Sequence, residues 1–155
     1  MAEIATMDAT VSVPDDLTFL AGLPLFRDVP AHELRILSRL MRRETFAPGK
    51  IVFRQDDPGF DLIVIREGTV CVFLTRDSER IDLAELGAGS YFGEMSLFDE
   101  YPRSANAEAL TEVKVFRLDR PAFFSFVRNH PASLIQMCKI FSHRLRNTNS
   151  FLTKR

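Results

Sequence analysis

The chain has 155 residues, of which 46% are hydrophobic and 26% are charged, and its net charge is −1. This length suits one compact domain with a buried core, and the nearly neutral charge excludes the basic field expected of a protein that binds DNA or an anionic membrane. Two cysteines without Cys-x-x-Cys spacing, no signal peptide and no apolar run near ~20 residues predict a soluble, cytoplasmic protein that has no contact with a membrane.

The N-terminal part of the chain predicts a leader followed by two helices. Residues 1–16 are mostly small, polar and aperiodic, and we expect a flexible leader there. From residue 17, apolar residues at helical spacing predict a helix that ends before Pro24. A second helix begins at Pro30, and its apolar face consists of Leu34, Leu37, Leu40 and Met41.

Beyond Glu44 the apolar residues change to the alternating pattern that is typical of short β-strands. The segments that predict strands are 45–46, 51–53, 62–65, 69–74, 81–86, 104–109 and 113–118. The nearly continuous β-branched segment Leu62–Ile65 predicts a strand that is covered on both faces. Many short strands with regular turn signals between them predict a β-barrel or a jelly roll.

Two further helices are predicted after the last strand. Asp119-Arg120-Pro121 is typical of a helix start, with Asp119 as the N-cap, and Asn129-His130-Pro131 marks a break. A final helix is expected from about Pro131 to Leu152. Its apolar seam, at alternating spacings of four and three, is Leu134, Cys138, Phe141, Leu145, Thr148 and Leu152. This seam indicates either packing on the chain's own barrel or dimerisation with a second copy, and three heptads are too few to decide.

The segment from Tyr91 to Ala107 contains residues suited to holding a phosphorylated sugar. Gly93 lets the backbone approach a ligand closely, and the helical turn expected after it has free N–H groups that can bind an anion. Arg103 can hold two oxygens of one phosphate with its planar guanidinium. Glu94 only accepts hydrogen bonds, so a sugar hydroxyl suits it and a phosphate does not.

The two motifs Phe92-Gly93-Glu94 and Pro102-Arg103-Ser104-Ala105 resemble the phosphate-binding cassette of the cyclic nucleotide-binding domain family, where they frame a short helix. The opening segment Leu25–Pro30 and the turn Arg66-Glu67-Gly68 also resemble that family. The resemblance implies a mainly β fold, an eight-stranded β-roll of the double-stranded β-helix or jelly-roll type. Flanking N-terminal helices and a long C-terminal helix are implied as well. We expect one such domain over residues 17–152, with its C-terminal helix at about 131–152.

The resemblance also implies which residues bind the ligand. Glu94 would hold the ribose 2′-hydroxyl and Arg103 the cyclic phosphate. Further ligand contacts are implied for Phe92, Gly93, Met95, Ser96 and Ser104. Counted from Pro131, Thr148 lies where bacterial activators of this family place a threonine against adenine. Met95-Ser96 and Asn106 depart from the more usual leucine-alanine and threonine, but neither replaces a charged anchor.

These observations predict a stand-alone cyclic nucleotide sensor that is not an enzyme. In the family, the ligand orders the cassette and the final helix closes over the base as a lid. Cyclic AMP is the favoured ligand, and cyclic GMP is the alternative because Ser104 could contact guanine. A ligand-independent interaction or dimerisation module on the same fold is the other alternative. We do not favour this ligand-independent alternative, because an unpaired buried cation at Arg103 would be costly to keep.

Metal chemistry and catalysis find no support in the sequence. His32, His130 and His143 fall on predicted helices or at a helix junction, so we expect neither a metal site nor a catalytic set that contains histidine. Three residues, Thr153–Arg155, follow the final helix, and we therefore expect no DNA-binding helix-turn-helix. The expected partners are the cyclic nucleotide, a second copy bound through the C-terminal helix, and a downstream protein that the sequence does not identify.

Overall fold

The structure, a computed structural model, describes residues 16–99 and 101–153, with the side chains of all of these except Met95, Leu145 and residues 147–153. It contains two compact units: Leu40–Phe124 forms one, and the part up to Arg39 together with the part from Ser125 forms the other. The predicted leader lies outside the described residues except for Asp16, which is already helical.

The unit Leu40–Phe124 is built from antiparallel β-sheets. In chain order its strands are β1 (Arg42–Phe46), β2 (Ile51–Phe53), β3 (Asp61–Glu67), β4 (Val70–Arg76), β5 (Glu79–Leu86), β6 (Tyr91–Phe92), β7 (Asn106–Ala109) and β8 (Val113–Asp119). Within the described residues they form two four-stranded sheets, with orders β1-β8-β3-β6 and β2-β7-β4-β5. The predicted eight-stranded, jelly-roll-like fold is confirmed.

The hydrophobic core of this unit is contributed by the inner faces of both sheets. Leu62–Ile65 of β3 are at most 1% exposed, which confirms the prediction of a strand covered on both faces. On β7, Ala107 and Ala109 are fully buried, so small side chains allow this strand to pack closely on its neighbours. Each large apolar side chain buried in such a core contributes roughly 1.5–3 kcal/mol.

Helices occur in both units. They are α1 (Ala31–Leu40), α2 (Glu94–Asp99), α3 (Arg120–Asn129) and α4 (Pro131–Thr153), preceded by helical residues 16–21 and a 3₁₀ turn at Pro24–Phe26. The start of α3 is the predicted one, because Asp119 Oδ1 accepts a hydrogen bond from the N–H of Ala122 at 2.9 Å. The predicted break before Pro131 and the long final helix are also present. No helix in the described part of the chain is long and apolar enough to cross a membrane.

In the helical unit, the buried stripe of α4 differs from the predicted seam. Ser133 and Met137 are 2% and 0% exposed, whereas Cys138 is exposed and Leu134 is half-buried. The hydroxyl of Ser133 can be buried because it donates to Glu33 Oε2 at 2.6 Å. Seam positions at 145, 148 and 152 lie outside the described side chains.

Candidate functional site

The connection between β6 and β7 begins at a glycine that no other residue could replace without strain. Gly93 has φ +86°, a left-handed conformation. A Cβ at this position would lie 2.5 Å from Nη1 of Arg103 and 2.8 Å from the carbonyl oxygen of Asp61. Glu94 follows as the first residue of α2 and is half-buried. The backbone therefore places Gly93, the residue directly before the predicted acceptor, against the predicted cation.

Arg103 is enclosed in the protein, with 3% of its surface exposed. Its Nη2 forms an ion pair with Asp61 Oδ1, and its Nη1 donates to the backbone carbonyls of Asp61 at 3.2 Å and Gly93 at 3.5 Å. The guanidinium also lies 4.4 Å from the ring centroid of Phe53, within cation–π range. Its Nε is buried and has no hydrogen-bond partner among the described residues. A buried donor without a partner is uncommon in folded proteins and calls for an explanation.

The loop between β2 and β3 holds the backbone of Arg103 in place. The N–H of Arg103 donates to the carbonyl of Asp57 at 2.9 Å, and the N–H of Asp56 donates to the carbonyl of Arg103 at 2.8 Å. Gly59 of the same loop lies against the guanidinium, and a Cβ there would be 2.7 Å from Nε. The position of the guanidinium is thus determined by tertiary contacts, and Gly59 leaves the space that it needs.

Asp61 is the counter-ion that sequence reasoning missed. Its Oδ2 accepts a hydrogen bond from Arg117 Nη1 at 2.7 Å, while Oδ1 is bound by Arg103. Burial lowers the pKa of Arg103, and the charge of Asp61 opposes this shift. One signal was present in the sequence: an aspartate stands at the head of an otherwise apolar strand, and a buried carboxylate needs a partner.

The pairing with Asp61 corrects one expectation from the sequence. Arg103 was expected to be an unpaired buried cation unless a ligand were bound, and this counted against a ligand-independent module. The structure shows that Asp61 neutralises Arg103 from within the chain. The presence of a buried arginine at position 103 therefore no longer argues for a ligand by itself. The Nε of Arg103, which has no hydrogen-bond partner among the described residues, is the stronger argument for a ligand.

The other predicted site residues differ in how far they are exposed. Phe92 is 5% exposed, and its ring lies 5.5 Å from that of Phe53, so it supports the ring beneath Arg103. Ser96 is buried, whereas Ser104 is exposed beside the anchor. The side chains of Met95 and Thr148 lie outside the described residues, so the structure leaves both assignments as predictions.

Asn106, which departs from the usual residue of the family, has a structural position. Its Oδ1 accepts from the N–H of Gln55 at 2.8 Å, and its Nδ2 donates to the carbonyl of Phe73 at 3.2 Å. Asn106 therefore ties the loop after β2 to β4. The same loop also holds the backbone of Arg103, so Asn106 helps to keep Arg103 in place.

The chemistry available here is that of binding. Arginine keeps its proton at any physiological pH, so Arg103 can attract an anion but cannot act as a general acid or base. Glu94 supplies an acceptor at the start of α2. In the part of the chain that the structure describes, no three His, Cys, Asp or Glu side chains are grouped so as to hold a metal ion.

Known proteins with this architecture include bacterial regulators and a kinase regulatory domain. The chain is 31% identical over 134 residues to the CRP-like cAMP-activated global transcriptional regulator of Mycobacterium tuberculosis, covering 86% of this chain and 60% of that protein. The crystal structure of the Thermus thermophilus catabolite activator protein superposes with a TM-score of 0.77 at 32% identity, covering 84% of this chain and 62% of that one. The regulatory domain of Toxoplasma gondii PKA with cAMP gives a TM-score of 0.70 at 28% identity, covering 82% and 48%.

These similarities extend over most of this chain but over a smaller part of its relatives. The chain spans about three fifths of the length of the curated bacterial regulators that it matches, 60% and 61% in two of them. The sequence pattern of the cyclic nucleotide-binding domain matches residues 43–130, more than half of the chain. This match extends from the second residue of β1 through α3 and includes both cassette motifs, Asp61 and Arg117, and the chain therefore belongs to the cyclic nucleotide-binding domain family.

Proposed function

We propose that this chain is a regulatory module that binds a cyclic purine nucleotide at Tyr91–Ala107, and that cyclic AMP is its preferred ligand. The observation that carries the proposal is the guanidinium of Arg103, which is buried beside Gly93 and Glu94 and keeps an unsatisfied Nε donor. A cyclic phosphate offers acceptor oxygens and a negative charge, and both match this group. The named ligands of the bacterial regulator and of the kinase domain support the choice of nucleotide.

Within this proposal each polar group of the cassette has a distinct task. Arg103 binds the phosphate, and the exposed hydroxyl of Ser104 donates to a phosphate oxygen from the next position. Glu94 accepts a hydrogen bond from the ribose 2′-hydroxyl, since a carboxylate would repel the phosphate. Gly93 keeps the backbone close to the ligand, and Phe92, Met95 and Ser96 complete the wall around it.

Recognition of the base is assigned to Thr148 on α4. Its hydroxyl would accept or donate a hydrogen bond at the adenine when the helix closes over the ligand. One such bond contributes about 0.5–1.5 kcal/mol, so cyclic AMP should bind about tenfold more tightly than cyclic GMP. The closed state is favoured only if the ligand binds it better than the open state.

A ligand-independent module on the same fold is the second candidate. It is favoured by the ion pair between Arg103 and Asp61, which satisfies the charge of the anchor when no ligand is bound. Under this candidate the cassette is a scaffold, and the unpaired Nε of Arg103 has no explanation. The first candidate accounts for both observations, because a phosphate can use Nε while Asp61 stabilises the empty site.

We further propose that α4 joins two copies of the chain. Its exposed residues Ile135, Cys138 and Ser142 follow one another at spacings of three and four, and Ile135 is 57% exposed. A parallel pairing of two such faces would bury these side chains. Ile135→Asp should then shift the molecular mass measured by light scattering from dimer to monomer. A monomeric parent chain would contradict this part of the proposal.

Calorimetric titration with cyclic AMP and cyclic GMP tests the proposed function. We expect the parent chain to bind both nucleotides, with cyclic AMP about tenfold tighter, and Thr148→Val to remove most of this difference. Linear 5′-AMP is the matched control for the cyclic phosphate. If neither cyclic nucleotide binds, the proposal is contradicted and the ligand-independent module is favoured. Tighter binding of cyclic GMP, or an unchanged ratio in Thr148→Val, would show that the base is read differently.

A further inference from the structure

A cleft of about 690 Å³ opens beside Asp61 within the unit Leu40–Phe124. Its wall is formed by the start of β1, the loop before β3, the end of β8 and the first turn of α3. The volume falls in the range of roughly 300–1,000 Å³ that small-molecule sites occupy. The lining does not include Glu94, Arg103 or Ser104, so nucleotide binding at the cassette leaves this cleft without a role.

Guanidinium groups line the cleft on several sides. Arg42 has 65% of its side chain exposed and lies 4.0 Å from Asp61 Oδ2. Arg120 lies 5.1 Å from the ring centroid of Phe124 and is half-buried. Arg117 is held more firmly, by Asp61 at 2.7 Å and by Glu44 at 2.6 Å. Arg42 is the most exposed cation of the lining, Arg120 is half-buried beside Phe124, and Arg117 contributes a fixed charge behind them.

The carboxylates in the lining do not cancel this charge. Asp61 is bound by Arg103 and Arg117, and Asp119 Oδ1 accepts from the N–H of Ala122. When Arg103, which lies behind Asp61, and Glu44, which pairs with Arg117, are both included, four guanidinium groups stand against three carboxylates, and the net charge at the lining is positive. A concave surface of this kind attracts anions.

Aromatic rings form the apolar part of the same cleft. Phe60 and Phe124 are 38% and 37% exposed, although rings of this size are usually well covered. Pro121 adds a further apolar surface at the start of α3. One exposed ring would carry no meaning. Two rings that line one concavity together with cations form a mixed surface suited to a flat, negatively charged molecule.

We propose that this cleft binds a small organic anion, a carboxylate or a phosphate monoester on a planar apolar body. The anionic group contacts Arg42 and Arg120, and the planar body lies against Phe60 and Phe124. This site adds a second ligand to the unit that contains the cassette. It does not require a bound nucleotide, because every side chain that contacts the ligand lies outside the cassette.

Titration of the ¹⁵N-labelled full chain, followed by NMR, tests the proposal. The probes are 2-naphthoate and 2-naphthyl phosphate, which carry the two anionic groups on one planar body. Saturable shifts are expected at the amides of Arg42, Phe60 and Phe124, while those of Gly93 and Ser104 stay in place. The tighter of the two probes identifies the anionic group. Acetate lacks the ring and 2-naphthalenemethanol lacks the charge, and each should bind at least about tenfold more weakly.

A pair of neighbouring arginines provides the matched variants. Arg42→Ala should weaken binding of the better probe by about tenfold or more, the effect of a hydrogen bond to a charged group. Arg43→Ala should leave it unchanged, because that guanidinium lies 5.2 Å from the ring of Phe116 and does not line the cleft. Phe60→Ser tests the apolar wall. The proposal is overturned by a lack of saturable shifts up to about 10 mM probe, by equal binding of acetate or the alcohol, or by parent-like affinity in Arg42→Ala.

Discussion

Two arginines in the β unit have similar partners but opposite surroundings. Arg80, on the edge strand β5, lies 3.8 Å from the ring centroid of Phe73 and pairs with Asp82 at 2.7 Å and Glu108 at 2.9 Å. Arg103 also lies on a phenylalanine and pairs with a carboxylate. Their side chains are 42% and 3% exposed respectively. Both arginines thus have an aromatic ring and an ion-pair partner, and they differ in how deeply they are buried.

The pKa values of the two groups move in opposite directions. The hydrogen bond to Asp82 raises the pKa of Arg80, whereas burial lowers that of Arg103 in spite of Asp61. At Arg80, water can replace a lost partner, so the pair adds little to stability. At Arg103 nothing replaces it, so the site responds strongly to any change in charge. A buried anchor of this kind is suited to binding an anion from solution.

The largest effect is expected from Arg103→Ala. Removing the buried cation should weaken cyclic nucleotide binding by roughly 3–5 kcal/mol, and Arg103→Lys should lose much of this because a point charge cannot replace the planar fork. The fold should persist, since Asp61 keeps its bond to Arg117. Calorimetry measures the loss, and Arg80→Ala is the control that should bind like the parent. If Arg103→Ala binds the nucleotide as tightly as the parent, Arg103 does not contact the phosphate.

Asp61→Asn comes next, and it acts mainly on stability. It leaves Arg103 and Arg117 close together without their common counter-ion, so unfolding should become easier by about 3 kcal/mol, or roughly 6–12 °C in Tm. A bound cyclic phosphate would restore negative charge. Cyclic AMP should therefore raise the Tm of the variant by more than it raises that of the parent, as measured by thermal unfolding. A smaller ligand-induced rise in the variant would show that the phosphate does not replace Asp61.

Glu94→Gln should have an intermediate effect. The change replaces half of the acceptor capacity by donors, and binding should fall by roughly 1–3 kcal/mol, the range for a hydrogen bond to a charged group. A 2′-deoxy analogue should bind the parent weakly and lose little more in the variant. If the parent and the variant discriminate equally against the 2′-deoxy analogue, Glu94 does not contact the ribose.

The smallest effect is expected from Arg80→Ala. Its ion pairs are exposed, so we expect the Tm to change by less than about 3 °C and the nucleotide affinity to stay the same. Thermal unfolding at low and high salt provides the measurement, and high salt should shrink the difference further. A loss of stability comparable to that of Asp61→Asn would mean that burial is not what separates the two arginines.

Local sequence patterns were sufficient to predict most elements of the fold and the order of the cassette, but the two-residue strand β6 was not among the predicted segments. Strands were identified by alternation and helices by their spacing, because both periods are set by neighbouring residues along the backbone. Gly93, Glu94 and Arg103 lie within one short segment, so their grouping was also predictable. Their positions in the structure agree with that grouping, while their roles in binding stay predictions.

Contacts between distant parts of the chain decided the rest. Asp61 and Arg103 are 42 positions apart, and no local pattern links them, so the internal counter-ion of the anchor emerged only in the folded unit. The stripe of α4 that is buried was likewise decided by Glu33, which accepts a hydrogen bond from Ser133, 100 positions later. Apolar spacing permitted two adjacent stripes on this helix. Burial of Ser133 required a partner for its hydroxyl, and the tertiary structure alone supplies that partner.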